Sequence, residues 1–214
     1  VSHVKVTIVY IDEKWIKIKG QWHYWFVVLD HTTGLPIVAE LLKSRSQWAC
    51  QWIGIQLKRI KIIPRVIVTD GLASYRYLLE GVTHLTCLFH HQQRVTHWLK
   101  KHFAEKAEIA QRKPLMKRLF QTQDKRTVKR RLEKLKASAK EQQITEWVQQ
   151  TEADLPKLLP AVGSVRLPST TNAIERFFRA FNRFYKVRCG FSTVKSAKRE
   201  LIFFLLMYLF VQQA

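Results

Sequence analysis

Val4–Ile11 reads VKVTIVYI and runs directly into Asp12. The stretch alternates in part and is rich in β-branched residues, the composition of a half-buried strand. Working outward, Trp15–Lys19 alternates apolar and basic residues, Trp22–Leu29 is aromatic and aliphatic, and Leu35–Leu41 is a further short apolar run. Gly20-Gln21 and His31–Pro36 punctuate them, so the opening third reads as a meander of adjacent antiparallel strands. Ser46–Ile60 reads as a helix capped by Ser46, with Trp48, Trp52, Ile55 and Ile60 on or near one face. Pro64 then introduces Arg65–Thr69 (RVIVT), a short apolar strand ending at Asp70-Gly71. Leu72–Leu79 reads as a short helix and His84–Cys87 as another strand.

Three strands, helix, strand, helix, strand is the order of a ribonuclease H-like fold, an α/β domain whose mixed sheet is flanked by helices. After it the character changes. Gly is absent between Gly81 and Gly163, and Lys, Arg, Glu, Gln and Ala dominate, as they do in helices. Pro156, Pro160, Gly163 and Pro168 mark the exit, and two helices close the chain, at about Thr171–Tyr185 and Thr193–Val211. The expected organisation is a first part of the core at 1–90, an all-helical insertion at 91–167, and completing helices at 168–214.

Charge narrows the function classes. Thirty-seven Lys and Arg stand against 16 Asp and Glu, a net +21 on 214 residues. Self-repulsion on that scale opposes compaction unless a polyanion meets it. Nucleic acid is the first candidate, because each neutralised phosphate releases condensed counterion. Residues 94–140 alone hold 16 basic residues against four acids, net +12, and Lys129-Arg130-Arg131 is a compact cluster within them. Such a run is often only a solvated helical face, but as a block it suits a helical insertion lying along DNA. An anionic membrane is disfavoured: the one long apolar run, Leu201–Val211, has eleven residues where a span needs about 20. It reads instead as a buried core helix. Cys50, Cys87 and Cys189 are too few and scattered for a disulfide framework, which points to a reducing, cytoplasmic setting. A chain that opens at Val1 in a strand-like run suggests a domain cut from a longer protein.

Three carboxylates carry the chemistry. Asp12 ends the first strand, Asp70 ends RVIVT, and Glu175 lies in the first turn of the helix after the insertion. In the inferred sheet the first and fourth strands are neighbours, so Asp12 and Asp70 would sit side by side, with Glu175 brought across that edge. Mg²⁺ (or Mn²⁺) favours such oxygen ligands. Two ions about 3.5–4 Å apart can clamp the attacking and leaving oxygens of a phosphodiester displacement. Each acid also has a purely structural reading: Asp12 and Asp70-Gly71 as turn formers, Glu175 as the far half of a capping box with Asn172. Glu13 should point to the opposite face from Asp12. Asp30 should end a strand and begin a turn, Glu40 and Glu80 are weaker candidates, and Asp124, Glu133 and Glu146 read as surface.

Cys87-Leu88-Phe89-His90 has the spacing of half a zinc site, but no second half matches it. Cys87 reads as a buried strand-end residue, and His90, at a helix opening, could contact phosphate. Trp15, Trp22, Trp25, Trp48 and Trp52 read as core. Trp98 and Trp147 read as helix–helix packing, with stacking on a flipped base as the functional alternative.

Asp12–Trp22 (DEKWIKIKGQW) resembles the start of bacterial insertion-sequence transposase domains of the DDE type. Thr69-Asp70-Gly71 with Tyr75 resembles their second-aspartate motif, and Thr170–Arg176 (TTNAIER) the motif around their catalytic glutamate. Cys87-Leu88-Phe89-His90 is similar to a signature of Mutator-like transposases, which carry a helical insertion. The 105 positions between Asp70 and Glu175 depart from the short-spaced families that the opening hairpin resembles. The resemblance implies the ribonuclease H-like fold, divalent metal, and transposition: hydrolysis at an element end, then attack of the freed 3′-hydroxyl on target DNA. In that reading Asp12, Asp70 and Glu175 hold the ions. His90, Arg176 and Arg179 neutralise phosphate charge or bind the flanking backbone. Copies of the chain assemble on DNA. The rivals are a nuclease on the same fold that cuts without joining, an inactive DNA-binding relic, and an RNA-binding scaffold, whose aromatic recognition motif is not evident.

Overall fold

The computed structural model describes residues 6–213, and side chains as far as residue 211. The start of the opening stretch, Val4 and Lys5, lies outside them. The strands are β1 (Ile8–Ile18), β2 (Gln21–Asp30), β3 (Pro36–Leu42), β4 (Val66–Thr69) and β5 (Thr83–Thr86). They form one sheet in the order β3-β2-β1-β4-β5. β1 pairs antiparallel with β2, β2 antiparallel with β3, and β1 parallel with β4. This is the ribonuclease H-like arrangement, with the first and fourth strands side by side.

One local expectation is corrected. Asp12 does not end a strand, because β1 continues unbroken to Ile18. Its pairing with β2 is continuous from Val9↔Asp30 to Ile18↔Gln21. Those ladder bonds and cross-strand contacts override the weak strand preference of Asp12, Glu13 and Lys14. The two strands turn at Lys19 and Gly20, both at positive φ (47° and 77°), as a two-residue hairpin demands.

The residues divide into two units, 1–84 with 171–214, and 85–170. In the first, the sheet is covered on both faces. Helix α1 (Gln47–Arg59) starts at Ser46, whose hydroxyl accepts from Ala49 N. Its buried face is Ala49, Cys50, Ile53, Gly54 and Leu57, packed with Tyr75 and Leu78 against Val9, Ile11, Phe26, Val28 and Ile67. Gly54 makes this approach possible: a Cβ there would fall 1.8 Å from the Leu78 carbonyl oxygen. Trp48, Ile55 and Ile60 are exposed instead of covering the sheet. The helix meets the sheet through its small and aliphatic stripe, which admits closer packing than the tryptophans would.

The other face is aromatic. Trp25 packs on Phe177, Phe178 and Phe181 of α6 (Asn172–Lys186) and on Phe204 of α7 (Val194–Gln213). Trp25 is therefore core as expected, whereas Trp15 and Trp22 are 42% and 48% exposed. The backbone N–H of Lys17 donates to the Tyr185 hydroxyl at 3.0 Å, which fastens the end of α6 to β1. Leu201–Val211 is not buried all round. Leu201 and Phe204 pack inward, while Ile202, Phe203, Leu206, Met207, Phe210 and Val211 stay exposed.

The second unit holds α2 (Leu88–His102), α3 (Lys106–Arg118), α4 (Lys125–Ser138) and α5 (Thr145–Leu158). Val95, Leu99, Met116, Leu119, Val128, Leu132, Ile144 and Trp147 form its core, with Trp98 packed against it. Asp124 caps α4, its carboxylate accepting from Arg126 N and Thr127 N.

Candidate active site

Alternation along β1 sorts its acids. Glu13 follows Val9 and Ile11 onto the α1 face, and its partner across the ladder is Phe26 of the same core. Asp12 therefore belongs with Lys14, whose cross-strand partner is Trp25, on the face covered by α6. The parallel register Tyr10↔Val68, carried on two residues, sets Asp12 level with Asp70 at the end of β4. The ends of parallel strands are where α/β sheets place their chemistry.

Asp70-Gly71 does form the turn its sequence suggests. Leu72 N donates to Asp70 Oδ1 at 2.9 Å, Gly71 N donates to Thr69 Oγ1 at 3.2 Å, and Gly71 sits at φ 91°. The turn fixes the carboxylate, so the structural and chemical roles of Asp70 are compatible. Asp12 Oδ1 accepts from Glu13 N at 2.8 Å. Glu175 stands one turn into α6, beside the buried stripe of Ile174, Phe177, Phe178 and Phe181. It does not form a capping box with Asn172. The N-cap is Thr171, whose hydroxyl donates to Glu175 Oε1 at 3.1 Å.

Sequence pattern alone underrates Glu13. Its side chain is 3% exposed, Tyr75 Oη donates to its Oε2, and Arg45 Nη1 donates to Oε1 at 3.0 Å. Ser74 Oγ donates to the Arg45 carbonyl at 2.9 Å and closes the ring. Arg45 also lies over the Trp15 ring at 4.7 Å. The cluster ties the strand of Asp12 to the turn of helix that follows Asp70. Burial raises the Glu13 pKa, and the Asp70 charge adds to that, against the hydrogen bonds from Tyr75 and Arg45. Burial likewise pushes the Tyr75 phenol well up, helped by Glu13, Asp12 and Asp70, so one phenol senses all three carboxylates. A signal was available: alternation put an acid on an apolar face, where it must find partners.

Of the other candidates, Arg176 and Arg179 are exposed on α6. His90 lies in the first turn of α2, after the fully buried Cys87. Lys129 and Arg130 are exposed on α4. Arg131 is committed: its Nη1 donates to the carbonyls of Arg118 and Gln121 at 2.6 and 3.0 Å, satisfying the end of α3. Among the described residues, no three His, Cys, Asp or Glu side chains gather closely enough to hold a metal ion. The two sheet aspartates, level and oxygen-only, nevertheless suit a hard divalent cation.

Residues 6–142 match the family DDE_Tnp_IS240, a DDE domain. Glu175 lies beyond the matched stretch, and the match does not bear on the Mutator-like resemblance around Cys87 and His90. No curated protein matches the chain. Solved structures that match include the HTLV-2 integrase catalytic core domain in complex with magnesium. Its dimeric form is 17% identical, covers 46% of this chain and 72% of its own, and has a TM-score of 0.35. Its trimeric form is 16% identical, covers 48% and 74%, and scores 0.34.

Proposed function

The chain belongs to the DDE domain family of transposases, and from that membership we propose that Asp12, Asp70 and Glu175 are the acids with which it cuts and joins DNA. The register that sets Asp12 level with Asp70, on a face covered by the helix of Glu175, carries this reading. Two divalent cations, Mg²⁺ or Mn²⁺, held by these carboxylates would lower the pKa of an attacking water and stabilise the leaving oxygen. The chain's own part is positional. The turn at Gly71 holds Asp70, the ladder with β2 holds Asp12, and Thr171 orients Glu175. The Glu13–Tyr75–Arg45 ring fixes the spacing of the two sheet aspartates from behind.

Arg176 and Arg179, exposed one and four residues beyond Glu175, would take the phosphate or its flanking backbone. In the helical unit, His90 on α2 and Lys129 and Arg130 on α4 would make further backbone contacts, with Arg131 tying α4 to the end of α3. The substrate is DNA, which would place the chain with the nucleoid in a bacterial cytoplasm. No described helix is long and apolar enough to cross a membrane. Copies of the chain assemble on DNA, since joining two element ends takes two sites.

The test is cleavage and strand transfer by Asp70→Asn with Mg²⁺ or Mn²⁺. Both activities should vanish while DNA affinity stays within about twofold, because the basic surfaces are untouched. Loss of binding together with cleavage, in a folded variant, would refute this division of labour. Cleavage by the unaltered chain without joining of pre-cut ends would favour the nuclease reading.

A further inference from the structure

Within the helical unit, α2 and α5 enclose a cleft of about 240 Å³. Four side-chain polar atoms among the described residues are buried without a hydrogen-bond partner, and three of them, His91 Nε2, Arg94 Nη2 and Trp98 Nε1, belong to residues that line this cleft. The three residues follow one another at helical spacing along α2 and so share one face. Buried polar groups are nearly always satisfied, and a group left alone pays its desolvation in full. Three such groups on residues lining one space mark a missing complement rather than three separate accidents.

The chemistry of that complement follows from the donors. An indole N–H only donates, and a guanidinium only donates. Burial, with the Arg94 charge, holds the His91 pKa down to about 4, so the ring is neutral and its Nε2 donates in one tautomer. Lys101 and His97, both exposed, add further donors, and Asp154 is the single acid among the lining residues. The complement is an acceptor carrying negative charge. The Arg94 charge beside His91 disfavours a metal ion there. The groups are also held in place: Trp98 stacks on His102 with centroids 4.1 Å apart, and His91 sits edge-on to Phe120 at 5.1 Å and against Trp147 at 5.9 Å. The cleft is smaller than the roughly 300 Å³ at which pockets for drug-sized ligands begin, which suits a small tetrahedral anion.

We propose that the cleft between α2 and α5 is a phosphate site, in which Arg94, Trp98 and His91 donate to the oxygens of one phosphate group. The group is either a backbone phosphate of DNA or free inorganic phosphate. The site lies wholly within residues 85–170 and stands whether or not the three acids cut DNA.

The test follows the tryptophan indole N–H signals of the full ¹⁵N-labelled chain by NMR. The Trp98 signal is identified by its loss in Trp98→Phe. The chain is titrated with inorganic phosphate at constant ionic strength, and separately with a short duplex using Asp70→Asn to prevent cleavage. The Trp98 signal should shift saturably, and Arg94→Met, which keeps the aliphatic stem, should weaken the response at least tenfold. A response to the duplex that phosphate competes away identifies the DNA backbone as the source. A response to phosphate alone identifies the free anion. If neither probe moves Trp98, or if Arg94→Met responds like the unaltered chain, the cleft is filled by water and the proposal is overturned. A misfolded Arg94→Met still leaves the titration of the unaltered chain to decide.

Discussion

Tyr75→Phe isolates the ring behind the two sheet aspartates. The substitution removes one oxygen and leaves the aromatic ring edge-on to Phe26, so no cavity forms. What is lost is the donor to Glu13, a carboxyl only 3% exposed whose remaining side-chain donor is Arg45 at 3.0 Å. A hydrogen bond to a charged group contributes about 1.5–3 kcal/mol, and one between neutral groups about 0.5–1.5 kcal/mol. Burial holds the Glu13 pKa above its usual value, so the folded chain binds that proton more tightly than the unfolded chain. Stability from this source is full below the unfolded pKa of about 4.3 and is lost as pH rises through the raised folded value. The Tyr75 bond opposes that rise, so removing it should cost more at pH 8 than at pH 4, by about 1 kcal/mol. Urea unfolding of both chains at the two pH values, with amide exchange in β1 to read this unit, measures the difference. An equal loss at both pH values would refute the assignment of the Tyr75 bond to an ionised Glu13.

Gly54→Ala should destabilise the first unit by about 3 kcal/mol or more, since the new methyl meets the Leu78 backbone and overpacking alone costs 1–3 kcal/mol; a denaturation midpoint close to that of the unaltered chain would contradict the close approach of α1. Reversing Lys129 and Arg130 to Glu, with Arg131 kept because it closes α3, should weaken binding to all DNA sequences alike and flatten its salt dependence. Each phosphate that is no longer neutralised takes about 0.9 from the log–log slope, so an unchanged slope would mark those two residues as solvated surface. Mg²⁺ at 100 times its Kd should stabilise the chain by about 2.7 kcal/mol, and Asp12→Asn should remove most of that gain; equal stabilisation of both, read by thermal unfolding, would place the ion elsewhere.

Much of the fold was legible because it is locally encoded. The period of two in the opening strands, the cap at Ser46 and the turn at Asp70-Gly71 concern residues a few positions apart, and they appear where the sequence puts them. Legibility failed where local pattern met a distant partner. Asp12 looked like a strand end because Asp, Glu and Lys are poor strand formers, but the β2 ladder carried β1 through them. Trp48 looked like core by size, yet α1 turned its smaller residues inward. Leu201–Val211 looked buried by composition, but a helix against one sheet face covers only one stripe of itself.

The sequence alone determined the alternation that sends Asp12 and Glu13 to opposite faces, the excess of positive charge, and the three acids in their order along the chain. Tertiary structure decided that Asp12 stands level with Asp70, that Glu13 is held by Arg45 and Tyr75, and that His91, Arg94 and Trp98, each with a buried unsatisfied nitrogen, line one cleft. The physical reason is range. Side-chain direction follows from the backbone period of a single element. Register and partner follow from burying apolar surface between elements far apart in the chain, as β1 and β4 are with two strands and a helix between them, and no local pattern records that choice.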